Sequence, residues 1–479
     1  MVFPRFALRP CRSNFLKTVA SSYSRKDVLG VRQPSTAYLD YVSQHIAEGV
    51  AAAEAERRQE TAECKADYSH QTEVWQKITD AAENLRPELE DILQDLHAHP
   101  EVAFEERYAQ SCLVEHLKSH GFHPELGVYG VGTSFRAEFA SADFDPQRHR
   151  SIAIMAEYDA LPGLGHACGH NIIAAVGLGA FISLHQVLSQ LSYSGRVILI
   201  GTPAEEGHSG KEYMIRGGML DGVDMAMMVH PFGHDISSHA WVGRRTLQAT
   251  FRGIAAHASA QPFMGRNALD AASLAYQGMG LLRQQMPPCD RLHAVISEGG
   301  RQPSIIPDSA TMNIYVRSLH TETLVDLSKR VNDILDGAAL MTGTEVEKEW
   351  DQHPATLPVR NNAVMAARWA RSQARRGRVA LPAGVIPDTL AASTDFGNVS
   401  QRVPGIHPMI KVSPPDVALH TEAFARWTKS PEATTTAVDG AVGLAEVAAD
   451  LLFDENFAAA AAQEFEDNGG VMSVAETFG

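Results

Sequence analysis

The sequence predicts an α/β fold: a mixed, mostly parallel sheet with helices on both faces, interrupted by a smaller α+β module. Three observations carry that expectation. Short apolar runs at 151–156, 196–202 and 224–229 alternate with a helical segment at 171–191 and a glycine-rich turn region at 207–222, the order of strands covered by helices in a parallel sheet. After Trp241 the order becomes β-α-β-β-α-β, the split βαβ signature of a ferredoxin-like domain. After a linker at 353–362 the first pattern returns.

The elements follow in chain order. Residues 37–66 are rich in Ala and Glu and helix-prone. Residues 71–96 repeat apolar side chains at helical spacing through Trp75, Ile78, Leu85, Leu89, Ile92, Leu93 and Leu96. A helix over 105–120 ends at Gly121, placed as the residue just past a helix end. In the inserted module, 243–252 reads as a strand, 266–286 as a helix, 291–298 and 310–318 as strands, 321–338 as a helix and 344–350 as a last strand. Helix 362–375, strand 407–412 and helix 432–453 complete the larger unit. The expected division is an N-terminal extension and helix (1–70), a first part of the large domain (71–241), the inserted domain (242–355), a second part of the large domain (356–455) and a C-terminal tail (456–479).

Composition narrows the possible roles. A chain of 479 residues exceeds one ordinary hydrophobic core, and 44% hydrophobic with 20% charged residues is the balance of a globular protein. A net charge of −16 argues against nucleic acid or an anionic membrane as partner, since both favour a basic face. Ser, Gln and Gly interrupt even the 172–191 stretch, so no bilayer-spanning segment is expected. Cys11, Cys64, Cys112, Cys168 and Cys289 are few, scattered and odd in number, which fits a reducing compartment such as the cytoplasm. The first 26 residues lack acids but hold Arg5, Arg9, Arg12, Lys17, Arg25 and Lys26. That pattern is similar to a mitochondrial transit peptide, with a disordered tail or a misassigned start as equal alternatives.

Chemistry concentrates in the run Glu157-Tyr-Asp-Ala-Leu-Pro-Gly-Leu-Gly-His-Ala-Cys-Gly-His170-Asn. Cys168 and His170 flank one glycine, so both can reach one metal centre. Glu205-Glu206 and His230 follow the next apolar runs, and His420 lies beyond the run ending near Val412. Functional groups gather at the carboxyl ends of strands in open α/β sheets, and all these residues obey that rule. The set suits two divalent cations, with a thiolate as bridge and imidazoles and a carboxylate completing each shell. Two metals about 3.5–4 Å apart would acidify a water and polarise a carbonyl. If a strand continued through Glu205 and Glu206, the two side chains would diverge. One could then bind metal while the other served as general base. Plainer readings exist for each residue taken alone: a buried apolar thiol for Cys168, a solvated pair for Glu205-Glu206, strand-end or loop histidines for His230 and His420. Asp159 is a candidate to orient a metal-binding histidine. The pair His97 and His99 reads as structural, since residues two apart on a helix do not face each other, and Glu157 also reads as structural. His166 reads as either a partner behind a ligand or a loop residue.

The segments HPEVAFEE (99–106), EYDALPGLGHACGHN (157–171), PAEEGHSGK (203–211), GIAAHASAQPFMGRNALDA (253–271), LAASTDFGNVS (390–400) and LHTEAF (419–424) together resemble the aminoacylase/carboxypeptidase G superfamily of metallopeptidases. Within it they are most similar to the branch of aminobenzoyl-glutamate hydrolases and amino-acid-conjugate amidohydrolases. The resemblance covers about residues 75–455. It implies Cys168, His170, Glu206, His230 and His420 as ligands of two divalent ions, Mn²⁺ or Zn²⁺, with Glu205 as general base. It implies a catalytic large domain and an inserted lid/dimerisation domain. From that lid, His257 would reach a partner subunit's active site in a homodimer and stabilise an oxyanion. Arg317 would bind substrate, an ordinary strand salt bridge being the alternative. Asp395 would contact substrate or support a ligand. Two positions depart from many relatives. Ser304 stands where Asn is common, which bears on recognition of the substrate carboxylate. Asn171 stands where Asp is common, which leaves the metal ligands untouched.

The expectation is metal-dependent hydrolysis of the amide bond of N-acyl or aminoacyl amino acids. The alternatives are a β-alanyl or ω-amino dipeptidase of the same superfamily and a non-catalytic metal- or ligand-binding protein.

Overall fold

The computed structural model describes residues 35–62 and 67–479, so the basic segment 1–26 and its transit-peptide reading lie outside the described residues. The chain opens with α1 (Ala37–Ala62), α2 (Gln71–Asn84), α3 (Arg86–Ala98) and α4 (Arg107–Ser119). The apolar repeat over 71–96 runs on through α2 and α3, but the helix breaks at Leu85. Pro87 opens α3 with no amide hydrogen to continue the preceding ladder. The buried stripe survives the break: Ile78, Leu85, Leu89, Ile92, Leu93 and Leu96 all lie in one core.

Next come β1 (Glu125–Leu126), β2 (Phe135–Ala140), β3 (Ser151–Ala156), α5 (His170–Leu188), β4 (Arg196–Gly201), α6 (Gly210–Arg216), β5 (Met225–Met227) and β6 (His230–Phe232). The glycine-rich region 207–222, expected as turn, therefore contains a short helix. After the second unit described below, the first unit resumes with α9 (Ala363–Arg375), α10 (Phe396–Ser400), β11 (Gly405–Ile406), β12 (Met409–Lys411), α11 (Glu422–Trp427), α12 (Pro431–Phe453), α13 (Glu455–Asp467) and α14 (Val474–Phe478).

These strands form a mixed sheet of order β1-β2-β4-β3-β5-β11. The β4-β3-β5-β11 ladders are parallel, and β2 joins β4 antiparallel. Because β3 has β4 on one side and β5 on the other, the carboxyl ends of all three open onto one crevice. Helix α5 is buried along almost its whole length. It is long and apolar enough to cross a membrane by length and composition, but it lies inside the protein, packed on β3 and against α2, α3 and α12.

The segment expected as one strand at 407–412 is split. Gly405–Ile406 joins β5, whereas Met409–Lys411 pairs with β6 in a separate two-stranded ladder. Pro408 lacks a donor, so the ladder cannot run through it. Residues 456–479, expected as a tail, are mostly helical, and Phe457, Ala458, Ala461 and Phe465 of α13 are buried.

The second unit comprises β7 (Gly243–Arg252), α7 (Ala268–Leu282), β8 (Arg291–Glu298), β9 (Ser309–Ser318), α8 (Thr321–Thr342) and β10 (Glu345–Trp350). Its antiparallel sheet has the order β10-β7-β9-β8, and its own core holds Leu247, Phe251, Met279, Ile314 and Leu335. Asn267 caps α7 by accepting from the amide of Leu269, a contribution of about 1 kcal/mol.

Candidate metal centre and active site

Three strand ends and one helix start build the site. Glu157 and Asp159 follow β3, Glu205 and Glu206 follow β4, and His230 opens β6 just after β5. Gly169 precedes α5 with φ +88°, and a Cβ there would meet Pro231 Cγ at 2.5 Å. That close approach requires glycine and turns Cys168 and His170 toward His230. His420, itself at φ +60°, is anchored by its amide donating to the Ala167 carbonyl at 2.9 Å.

The strand does not continue through Glu205 and Glu206, as the alternation argument supposed; β4 ends at Gly201. A loop instead aims the two carboxylates. Ala204 sits at φ +62°, where a residue with a Cβ is strained, and its amide donates to buried Glu106 at 2.9 Å.

The thiol is the hub. Cys168 Sγ lies 3.4 Å from His230 Nε2 and 3.4 Å from His420 Nε2. His420 Nε2 is 3.5 Å from Glu206 Oε1. His170 Nε2 is 3.5 Å from Glu157 Oε2 and 4.0 Å from Glu205 Oε2. Potential ligand atoms therefore fall into overlapping groups, each within 4.8 Å: Cys168, His170 and His230; Cys168, Glu206 and His420; His170, Glu205 and Glu206; and Glu157, Glu205 and Asp395. Among the described residues, His170 Nε2, Glu206 Oε1 and Glu157 Oε2 are buried without a hydrogen-bond partner. Each such atom costs about 1–3 kcal/mol, a cost that cations in their midst would remove. The donor set of sulfur, imidazole and carboxylate fits that reading.

Electrostatics agree. Burial, then Glu206, pushes the Cys168 thiol well above its ordinary range, so the thiolate needs a cation to form. Burial alone would lower His170, but facing Cys168, Asp159 and Glu157 outweigh it and raise it. Burial, then His170, lowers His230 to about 3, which leaves its imidazole neutral and able to donate a lone pair. Burial, then Glu157, Glu206 and Asp395, raises Glu205 well above the carboxylate range.

A family model described as peptidase family M20/M25/M40 matches residues 153–436. The chain belongs to this family. The Xaa-Arg dipeptidase of Mus musculus is 34% identical over 397 residues, covering 82% of this chain and 91% of that protein. One of the p-aminobenzoyl-glutamate hydrolase polypeptides of Escherichia coli strain K12 is 35% identical over 306 residues, 58% of this chain and 61% of that protein. A solved structure from Bacillus subtilis, described as a dinuclear metal binding peptidase of the M20 family, shares the fold with a TM-score of 0.57 and 20% identity, covering 76% of this chain and 99% of that one.

The remaining candidate residues of this M20 chain divide by location. Asp159 bonds His170 at 3.0 Å. Asp395 does not touch the sulfur–imidazole groups; it accepts from Lys211 Nζ at 2.6 Å. His257 and Arg317 lie on the second unit. His257 is exposed, and among the described residues its Nδ1 accepts only from nearby groups of Ser259 and Ala260. Arg317 lies beside Arg244 and Arg291 in the register of three neighbouring strands, and its guanidinium stacks 4.9 Å over Tyr315. Among the described residues it forms no ion pair, against the strand salt-bridge reading. Ser304 contributes its carbonyl to the Ala258 amide.

His97 and His99 take structural roles, facing the carbonyls of Ala425 and Asp95. Asn171 donates to the carbonyls of Leu93 and Thr428. His166 is buried, and burial, then His170, lowers it to about 3.

Sequence reasoning missed two groups. Lys211, fully buried beside the acids, reads as an ordinary solvated lysine. His407 is fully buried, with both ring nitrogens unpartnered among the described residues, stacked on Trp241 and 5.8 Å from His230. Its only signal was its place directly after the apolar pair preceding Pro408.

Proposed function

We propose that this M20 protein hydrolyses the amide bond of aminoacyl or N-acyl amino acids, with small dipeptides as the first substrates to test. One observation carries the reading: two ligand groups share Cys168, and the Glu205 carboxylate stands beside them without being needed to complete either. Cys168, His170, Glu206, His230 and His420 would hold two divalent ions, which supply Lewis acidity toward the scissile carbonyl and acidify water. Glu205 takes the proton of the attacking water and passes it to the departing amine. The thiolate favours Zn²⁺ on grounds of softness, with Mn²⁺ as the alternative. The dipeptide class is favoured because similarity to the Xaa-Arg dipeptidase extends over 91% of that protein.

The second unit is read as a lid and dimerisation domain. Its sheet ends in edge strand β8, where Val295 is 59% exposed, and Leu281 of α7 is 65% exposed. An apolar edge of this kind calls for a covering partner, and a second copy of the chain supplies one. Arg317, Arg244 and Arg291 form a cationic row suited to the substrate carboxylate. The net charge supports neither nucleic acid nor an anionic membrane as partner.

The test is hydrolysis of a panel of dipeptides, acyl-amino acids and aminobenzoyl-glutamate by purified protein loaded with Mn²⁺ or Zn²⁺. Metal-dependent release of a free amino acid from a panel member is expected. Complete inactivity of the metal-loaded protein on every member would leave a ligand-binding role.

A further inference from the structure

The last of the four ligand groups, Glu157, Glu205 and Asp395, contains neither sulfur nor imidazole, and a lysine occupies it. The loop after Glu206 folds back so tightly that a Cβ on Gly210 would overlap the Pro203 carbonyl oxygen. This turn starts α6 and sends Lys211 inward, where its side chain is 0% exposed. Lys211 Nζ donates to Glu157 Oε1 and to Asp395 Oδ1 at 2.6 Å. The Lys211 amide donates to Asp395 Oδ2 at 2.9 Å, so one residue grips both oxygens of Asp395. The other oxygen of Glu157 faces His170 Nε2 at 3.5 Å.

A buried ammonium needs one good counter-charge; this one has two fixed carboxylates, with Glu205 as the third member of the group. Glu205 alone among the three receives no hydrogen bond from Lys211. We infer that Lys211 is a positioning residue for hydrolysis: its ammonium serves as a built-in cation that ties up Glu157 and Asp395 and leaves Glu205 free to hold the attacking water. Without it three carboxylates would crowd one pocket, and Glu205 would rearrange to relieve their repulsion. The inference rests on the reading of Glu205 as general base.

The experiment is a double-mutant cycle on the full-length, Mn²⁺-loaded protein, with dipeptide kcat and KM, metal per chain and circular dichroism as readouts. Lys211→Met is expected to lower kcat about 100-fold with KM within about threefold, at unchanged metal content. In a Glu205→Gln background it is expected to cost nothing further, because both changes disable the same step. Losses that multiply, a wild-type kcat, or a fall in metal that accounts for the lost turnover would overturn the inference. If Lys211→Met does not fold, Glu157→Gln/Lys211→Met, which removes one charge of each sign, enters the same cycle. Failure of both to fold, with Glu205→Gln folded, assigns Lys211 to core structure and also overturns it. Full turnover by Glu205→Gln alone would remove the base assignment itself, a failure distinct from the others.

Discussion

Asp159 ties two candidate ligand segments together with one carboxylate: Oδ1 lies 3.0 Å from His170 Nδ1, and Oδ2 accepts the Glu206 amide at 2.9 Å. The first contact places the His170 proton on Nδ1 and turns the Nε2 lone pair toward the cluster. The second fixes the loop that carries Glu205 and Glu206. Asp159→Ala is therefore expected to weaken metal binding about 10–100-fold, measured by competition with a chromogenic chelator. Unaltered metal affinity would show that His170 is oriented by other contacts.

Glu205 lies at the edge of the cluster, 4.0 Å from His170 Nε2, whereas Glu206 faces His420. Glu205→Gln keeps the shape and removes the base. Expected is full metal content with kcat reduced about 10²–10⁴-fold; loss of metal in step with activity would make Glu205 a ligand instead.

The strands and helices that build the sheet were legible because their apolar residues are local and periodic. Strand Gly243–Arg252 even matches its expected bounds. The break at Leu85 was not legible, since the apolar stripe continues across it while only Pro87 interrupts the ladder. The site was legible where residue types are distinctive, as with Cys168, His170 and the glutamate pair. It was obscure where partners come from afar: Lys211 is buried by acids at 157 and 395, a pairing that no spacing in the sequence announces. Glu157 read as structural for the same reason. The role of His257 came from resemblance alone, which has it serve the active site of a second copy.

That reading predicts complementation. His257→Ala and Glu205→Gln proteins are each expected to be nearly inactive. Co-refolded, they should regain about a quarter of wild-type activity, because half the dimers are mixed and each mixed dimer holds one intact site. Mixtures no more active than either variant would confine His257 to its own subunit.

Glu446 on α12 offers a pH test far from the site. It is buried and accepts from Arg375 at 2.9 Å. Burial, only partly offset by Arg375, raises its carboxyl from 4.5 to about 8. The folded state thus holds a proton that the unfolded state releases between those values, so this group's contribution falls as pH rises through that window. Glu446→Gln should melt like wild type at pH 5 and roughly a few degrees higher at pH 8.5. A gap that is constant with pH, or that reverses, would show that Glu446 is ionised when folded.

Metal content and turnover measured on one preparation test the dinuclear centre most directly. Chelator-stripped protein, titrated with Mn²⁺ or Zn²⁺ and assayed on a cleaved dipeptide, is predicted to reach full hydrolysis at two equivalents bound per chain, with Cys168→Ser failing to do so. Full-rate hydrolysis by the metal-free protein, or saturation at a single equivalent, would contradict it.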